Sequence, residues 1–208
     1  MHLLVYDATG HGKARVQPLL TASWRIGSAL YQRHPSKVDA VYGATTWEDA
    51  LAWLCSVNPR ERIDSVQYWG HGLFGRVLIG ADVLDVTALS PGHPRHNDLI
   101  ALRQRVRDED TLLWFRTCAT FGRNTGHEFA RSFTRFFGCR AAGHTFVIGP
   151  LQSGLHSLRA GDEPTWPVTE GVPRSHHDQE QDPKTALSSS LSAPNTISCL
   201  HGAIPAGW

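Results

Sequence analysis

Two short segments carry residue types that could perform covalent chemistry: Tyr68-Trp69-Gly70-His71-Gly72 and Trp114-Phe115-Arg116-Thr117-Cys118. A cysteine nucleophile needs its thiolate, a neighbouring base to take up the proton, and donors aimed at the oxyanion that forms. His71 and Cys118 each close a run of strand-forming residues, so their types and placement predict a dyad, with His71 as general acid/base and Cys118 as nucleophile. The backbone N–H groups of Gly72 and Cys118 are the expected oxyanion donors. Gly70 and Gly72 are expected to leave room for a substrate backbone. Cys55 and Cys139 read as buried, inert thiols, and His11, His127 and His144 as structural or surface residues that rival His71 as partners for Cys118.

Other chemistries fit the spacing less well. Cys118 and Arg123 are separated by four residues where a cysteine-phosphatase loop needs five. Gly10-His11-Gly12-Lys13 lacks the earlier glycine and the following Ser or Thr of a phosphate-cradling loop, and Arg15 fills the third glycine position of a dinucleotide fingerprint. No Gly-x-Ser-x-Gly elbow occurs. His93-Pro94-Arg95-His96 and His176-His177 lack a carboxylate or cysteine at ligand spacing, so no metal site is expected.

The elements that must position the dyad follow from apolar periodicity and breakers. His2 to Ala8 predicts a central first strand, Leu19 to Gln32 a helix, and Val38 to Gly43 a second strand. Thr46 is placed to cap a helix beginning at Trp47. Ser65 to Gly70 predicts the strand that ends on His71, and Arg76 to Gly80 a hairpin element beyond it. Leu99 to Val106 repeats at helical spacing, and Thr111 to Phe115 forms the strand that runs into Cys118. Phe129, Ala130, Phe133, Phe136 and Phe137 define an amphipathic helix closed by Gly138. Ala141 to Gly149 predicts a further strand. Such alternation implies an α/β fold, a three-layer α-β-α sandwich around a mainly parallel sheet, with its site at the carboxyl ends of the strands.

The chain has 208 residues, 41% of them hydrophobic and seven of them Trp, enough for one substantial core. A domain over 1–172 is expected, followed over 173–208 by a flexible tail of Ser-, Pro-, Gln- and His-rich composition. With 20 Lys and Arg against 19 Asp and Glu, no overall field favours nucleic acid or an anionic membrane. The early charge at Asp7 argues against a signal peptide, and the four scattered cysteines fit free thiols in a reducing compartment, so a cytoplasmic location is expected.

The order strand-Gly-His-Gly, hairpin, helix, strand-x-x-Cys resembles clan CD cysteine peptidases, the group of caspases, metacaspases, gingipains and separases. Gly70 to Gly80, and Cys118-Ala119-Thr120-Phe121-Gly122 with the helix from Gly126, also resemble bacterial caspase-like domains. The resemblance covers residues 1 to 160. It implies a caspase-like fold and a cysteine endopeptidase that hydrolyses peptide bonds through a Cys118 thioester, acts on a peptide or protein and needs no cofactor.

By the same resemblance Arg116, two residues before the nucleophile, would line the first pocket and favour an acidic residue. Asp7 or Asp162-Glu163 would instead select a basic one. Trp166 lies where related enzymes place a substrate-binding loop, and reads equally as a platform or as a plug for the core. Cys118 is followed neither by the Arg-Gly of caspases nor by the His-Ser-Gly of metacaspases. A catalytically silent module that binds a peptide or partner protein through the same crevice is therefore the alternative.

Overall fold

A computed structural model describes residues 1–10, 17–33, 38–172 and 186–208. Six strands form the central sheet: β1 (His2–Asp7), β2 (Ala40–Ala44), β3 (Ser65–Trp69), β7 (Leu112–Arg116), β8 (Arg140–His144) and β10 (Leu155–Leu158), in the spatial order β10-β8-β7-β3-β1-β2. Every neighbouring pair is parallel except β10 with β8, so the sheet is mixed but mainly parallel. A three-stranded antiparallel sheet of β4 (His71–Leu73), β5 (Arg76–Ile79) and β6 (Asp82–Asp85) projects after β3.

Alternation along the strands assigns the two faces of the sheet. Leu3, Val5, Val66, Tyr68, Leu113 and Phe115 point into the main core, which is covered by α2 (Trp47–Ser56), α3 (His96–Arg105) and α4 (Arg123–Phe137). Leu4 and Trp69 point the other way, onto Tyr31 of α1 (Gln17–Gln32). Trp114, Ala142 and Leu155 share that second face, and among the described residues Ile197, with Ile204 and Trp208, packs on them in place of a helix.

Local rules account for the helix ends. Thr46 accepts a hydrogen bond from Asp49 N as the α2 cap, with Glu48 and Asp49 in the first turn favoured by the helix dipole. Gly138 ends α4 in the left-handed conformation that glycine adopts without a Cβ clash. Four α4 aromatics, Phe129, Phe133, Phe136 and Phe137, pack in sequence along one side, which fixes α4 beneath β7 through Phe115. Among the described residues no helix is long and apolar enough to cross a membrane.

The chain departs from the sequence expectation at its C-terminal end. Residues 186–208, assigned by composition to a mobile tail, dock along the sheet. Ile197–Ser198 (β11) pairs antiparallel with β9 (Leu151–Gln152), Asn195 caps the Leu155 carbonyl, and Val147 exchanges two backbone bonds with Leu187 and Ser189. Residues 173–185, the rest of that expected tail, lie outside the described residues, as do His11, Gly12, Lys13, Arg15, His176 and His177. The last expected strand is shorter than its apolar run, ending at His144, and the antiparallel strand β10 was not anticipated.

Candidate active site

Strands β3 and β7 are adjacent and parallel, with Trp69 opposite Arg116 at the end of their shared ladder. His71 and Cys118 are each the second residue beyond that pair, so both leave the same edge of the sheet, at its carboxyl end. The chain then diverges. After His71 it enters the β4–β5 hairpin, and after Cys118 it makes a tight turn into α4.

The two branches are stitched together. Phe74 N and Gly75 N, at the hairpin tip, donate to Ala119 O and Thr120 O at 2.9 and 2.8 Å. Ala119 N and Phe121 N donate to Phe146 O and His144 O at 2.9 and 3.0 Å. The Cys118 N–H takes part in none of these bonds. Three non-glycine residues with positive φ, Phe74 (35°), Ala119 (49°) and Arg123 (65°), lie in or directly after these turns. Such backbone is costly and persists where surrounding contacts hold it, a pattern common at functional sites.

Gly72 lies against the Cys118 turn. A Cβ at this position would overlap Thr120 and come within 2.6 Å of Thr117 Oγ1, and the two threonine hydroxyls are themselves 2.5 Å apart. Leu73 and Arg76 close the two-residue hairpin loop and carry its ladder bonds, so Gly72 and Val77 form the pair that does not exchange them. The Gly72 N–H therefore points away from β5. Gly70 is equally confined, because a Cβ there would overlap the Tyr68 ring, whose hydroxyl donates to Leu78 O. Internal packing alone thus requires glycine at both positions.

The electrostatics describe a neutral resting pair. Cys118 is half-buried, burial pushes its thiol above the ordinary value, and its Sγ lies 3.8 Å from Ile148 O as a donor. Burial likewise holds the His71 imidazole below its usual value, opposed by the Asp7 charge. The Trp24 ring of α1 meets His71 edge-on, with centroids 5.1 Å apart. Sequence reasoning missed Trp24, because helical periodicity places a residue on α1 without showing which loop it faces.

The expected specificity residues are placed differently. Arg116 is 3% exposed, and its donors reach Gln152 Oε1, Tyr31 OH, Gln67 Oε1, Cys199 O and His201 O at 2.8–3.3 Å. Its guanidinium also lies over Trp114 and Trp69, 4.5 and 5.1 Å from the ring centroids. With all its donors engaged inside the protein, Arg116 fastens the C-terminal segment and offers nothing to a substrate carboxylate. Asp7, 1% exposed, accepts bonds from Thr9 N, Thr9 Oγ1 and Gly80 N at 2.8, 2.6 and 3.0 Å. Glu163 pairs at the surface with Arg131 and Arg135.

Trp166 is a plug. Its ring stacks on Phe121 and on His156 at 5.5 and 4.6 Å, and its Nε1 donates to Phe121 O. His156 in turn pairs with Glu170 at 2.6 Å, and Thr145 Oγ1 donates to the same carboxylate. Burial opposes ionisation of Glu170, yet these two partners hold its carboxyl below the usual range. Of the rival histidines, His144 is fully buried, its Nδ1 bonded to Ser153 O and its pKa driven down to about 3 by burial. His127 packs edge-on against Trp166. Among the described residues no three His, Cys, Asp or Glu side chains converge as metal ligands.

No protein-family model matches the chain, and no curated protein matches it either.

Proposed function

We propose that the chain is a caspase-like cysteine endopeptidase with His71 and Cys118 as its dyad. The observation that carries this reading is the matched exit of the two residues, each two positions beyond the Trp69–Arg116 pair on adjacent parallel strands. In the proposed reaction the Cys118 proton passes to His71, the thiolate attacks the scissile carbonyl, and the Gly72 and Cys118 N–H groups receive the oxyanion. His71 returns the proton to the leaving amine. Water then hydrolyses the thioester, with His71 as base. Neither Arg116 nor Asp7 is presented to a substrate, so the proposal carries no charge preference from them.

A second reading, a binding module of the same fold, is favoured by the resting state of the pair. A thiol held protonated by burial and pointed at the Ile148 carbonyl is a poor nucleophile until something rearranges it. Peptidyl acyloxymethyl ketones carrying Asp, Arg or Leu beside the warhead separate the two. The endopeptidase labels on Cys118, and loses the label in Cys118→Ala and in His71→Ala. Folded protein that no probe labels supports the binding module.

A further inference from the structure

The main core encloses a void that the proposed reaction does not use. A cavity of about 40 Å3 lies where β1, β3 and β7 face α2, α3 and α4, and its wall is apolar almost throughout. Val5, Val66 and Leu113 line its sheet side, with Leu51, Leu84 and Leu99 facing them, and all six are buried. A water molecule settles in such a space only with about two to four polar partners. Trp47 and Tyr68 on the wall offer none, because Trp47 Nε1 donates to Val77 O at 3.1 Å and Tyr68 OH donates to Leu78 O. The same bonds keep the core from collapsing into the gap, since a void persists where its neighbours cannot relax into it. Trp47 and Tyr68 are pinned at their polar ends and pack on each other at 4.6 Å. Phe115, Phe133 and Phe137 are held in a chain of ring contacts at 5.6 and 6.2 Å. None of these rings swings inward without losing a hydrogen bond or a ring contact, and Val5 and Val66, on adjacent strands, are too short to cross the space.

We propose that this cavity is a preformed binding site for small apolar molecules of about one to three heavy atoms, such as xenon or a light alkane. Size sets the upper limit: an apolar cavity of about 150 Å3 stays dry and holds a benzene ring, and this one has roughly a quarter of that volume. Chemistry sets the class. A ligand with a donor or acceptor would leave it unpaired against carbon and lose its hydration, whereas an apolar one gives up only contact with water. The site is independent of the dyad and stands whether or not Cys118 reacts.

The test is methyl NMR of the full chain under increasing xenon pressure, comparing wild type with Val66→Ile and Val5→Ile, which add a methyl group to the cavity wall. We expect saturable shifts at the methyls of Val5, Val66, Leu84 and Leu99, and none at the exposed Ile26 and Leu191. The melting temperature should rise with xenon pressure, because the ligand binds the folded chain and not the unfolded one. Wild-type cavity methyls that do not shift, or that shift without saturation and no more than Ile26 and Leu191, overturn the inference. In a folded isoleucine variant the added methyl takes the ligand's place, so the xenon shifts at the other cavity methyls should vanish. If both variants fold and respond to xenon as wild type does, the ligand sits elsewhere and the inference fails. Should neither variant fold, the wild-type shifts decide the matter alone.

Discussion

Individual buried residues set the response of this protein to pH. His144 is neutral in the fold, because burial lowers its pKa from 6.5 to about 3 and the Ser153 carbonyl on Nδ1 offsets only part of that effect. Between those values the unfolded chain binds a proton that the folded chain rejects, so stability is full above about pH 6.5 and falls as the pH drops toward 3. We expect the urea midpoint to fall between pH 7 and pH 5, and His144→Phe, though destabilised overall, to show a smaller fall over that interval. Arg116 gives a second test. Arg116→Lys removes the planar fork that serves Gln152, Cys199 and His201 together, and should cost about 3 kcal/mol in urea unfolding, because the lysine charge stays buried with fewer partners. His71 and Cys118 were legible from residue type and position after strand-forming runs. The internal tasks of Arg116 and Asp7 were not, because a charged residue at a strand end reads the same whether it meets a substrate or the protein's own carbonyls.

At the scale of elements, the hairpin beyond β3 is what brings Gly72 to the Cys118 turn. Gly72→Ala forces a methyl into Thr117 and Thr120, which can yield only by shifting the hairpin. The expected cost is about 1–3 kcal/mol, typical of overpacking. Hydrogen exchange should rise at Phe74 N and Gly75 N, which bond the hairpin to the turn, while α4 stays protected. The strands β1, β3 and β7 and the helices α2 and α4 were readable, since apolar runs, a threonine cap and the Phe129 to Phe137 stripe each favour one local structure. Strand β10 escaped notice. Leu155-His156-Ser157-Leu158 is short and mixed in polarity, and it becomes a strand by pairing with β8 and through the Asn195 amide on its Leu155 carbonyl.

For the whole molecule, the decisive feature is that an irregular segment takes the place of a helix on one face of the sheet. Composition misled here because Ser- and Pro-rich sequence usually cannot bury enough apolar surface to order itself. The segment from 186 succeeds with few anchors: Ile197, Ile204 and Trp208 on Trp114 and Leu155, plus the Cys199 and His201 carbonyls on Arg116 and Tyr31. Truncation after residue 185 should therefore remove several kcal/mol, a large part of the stability of an ordinary domain. The truncated chain should bind a hydrophobic dye and show no cooperative thermal transition. An unchanged melting temperature would mean that the sheet face tolerates exposure.

The same strap dictates an order of assembly. Tyr31 and Arg116 reach partners 83 to 170 residues further along the chain, so neither can be satisfied while the polypeptide is still short of His201. A nascent chain can form the α2–α3–α4 side of the sheet early, since those contacts are closer in sequence. It must hold the opposite side open, with the Arg116 cation and Trp114 uncovered, until residues 186–208 have been made. Interrupted synthesis would release a half-covered sheet, the species that chaperones bind and that aggregates when they do not.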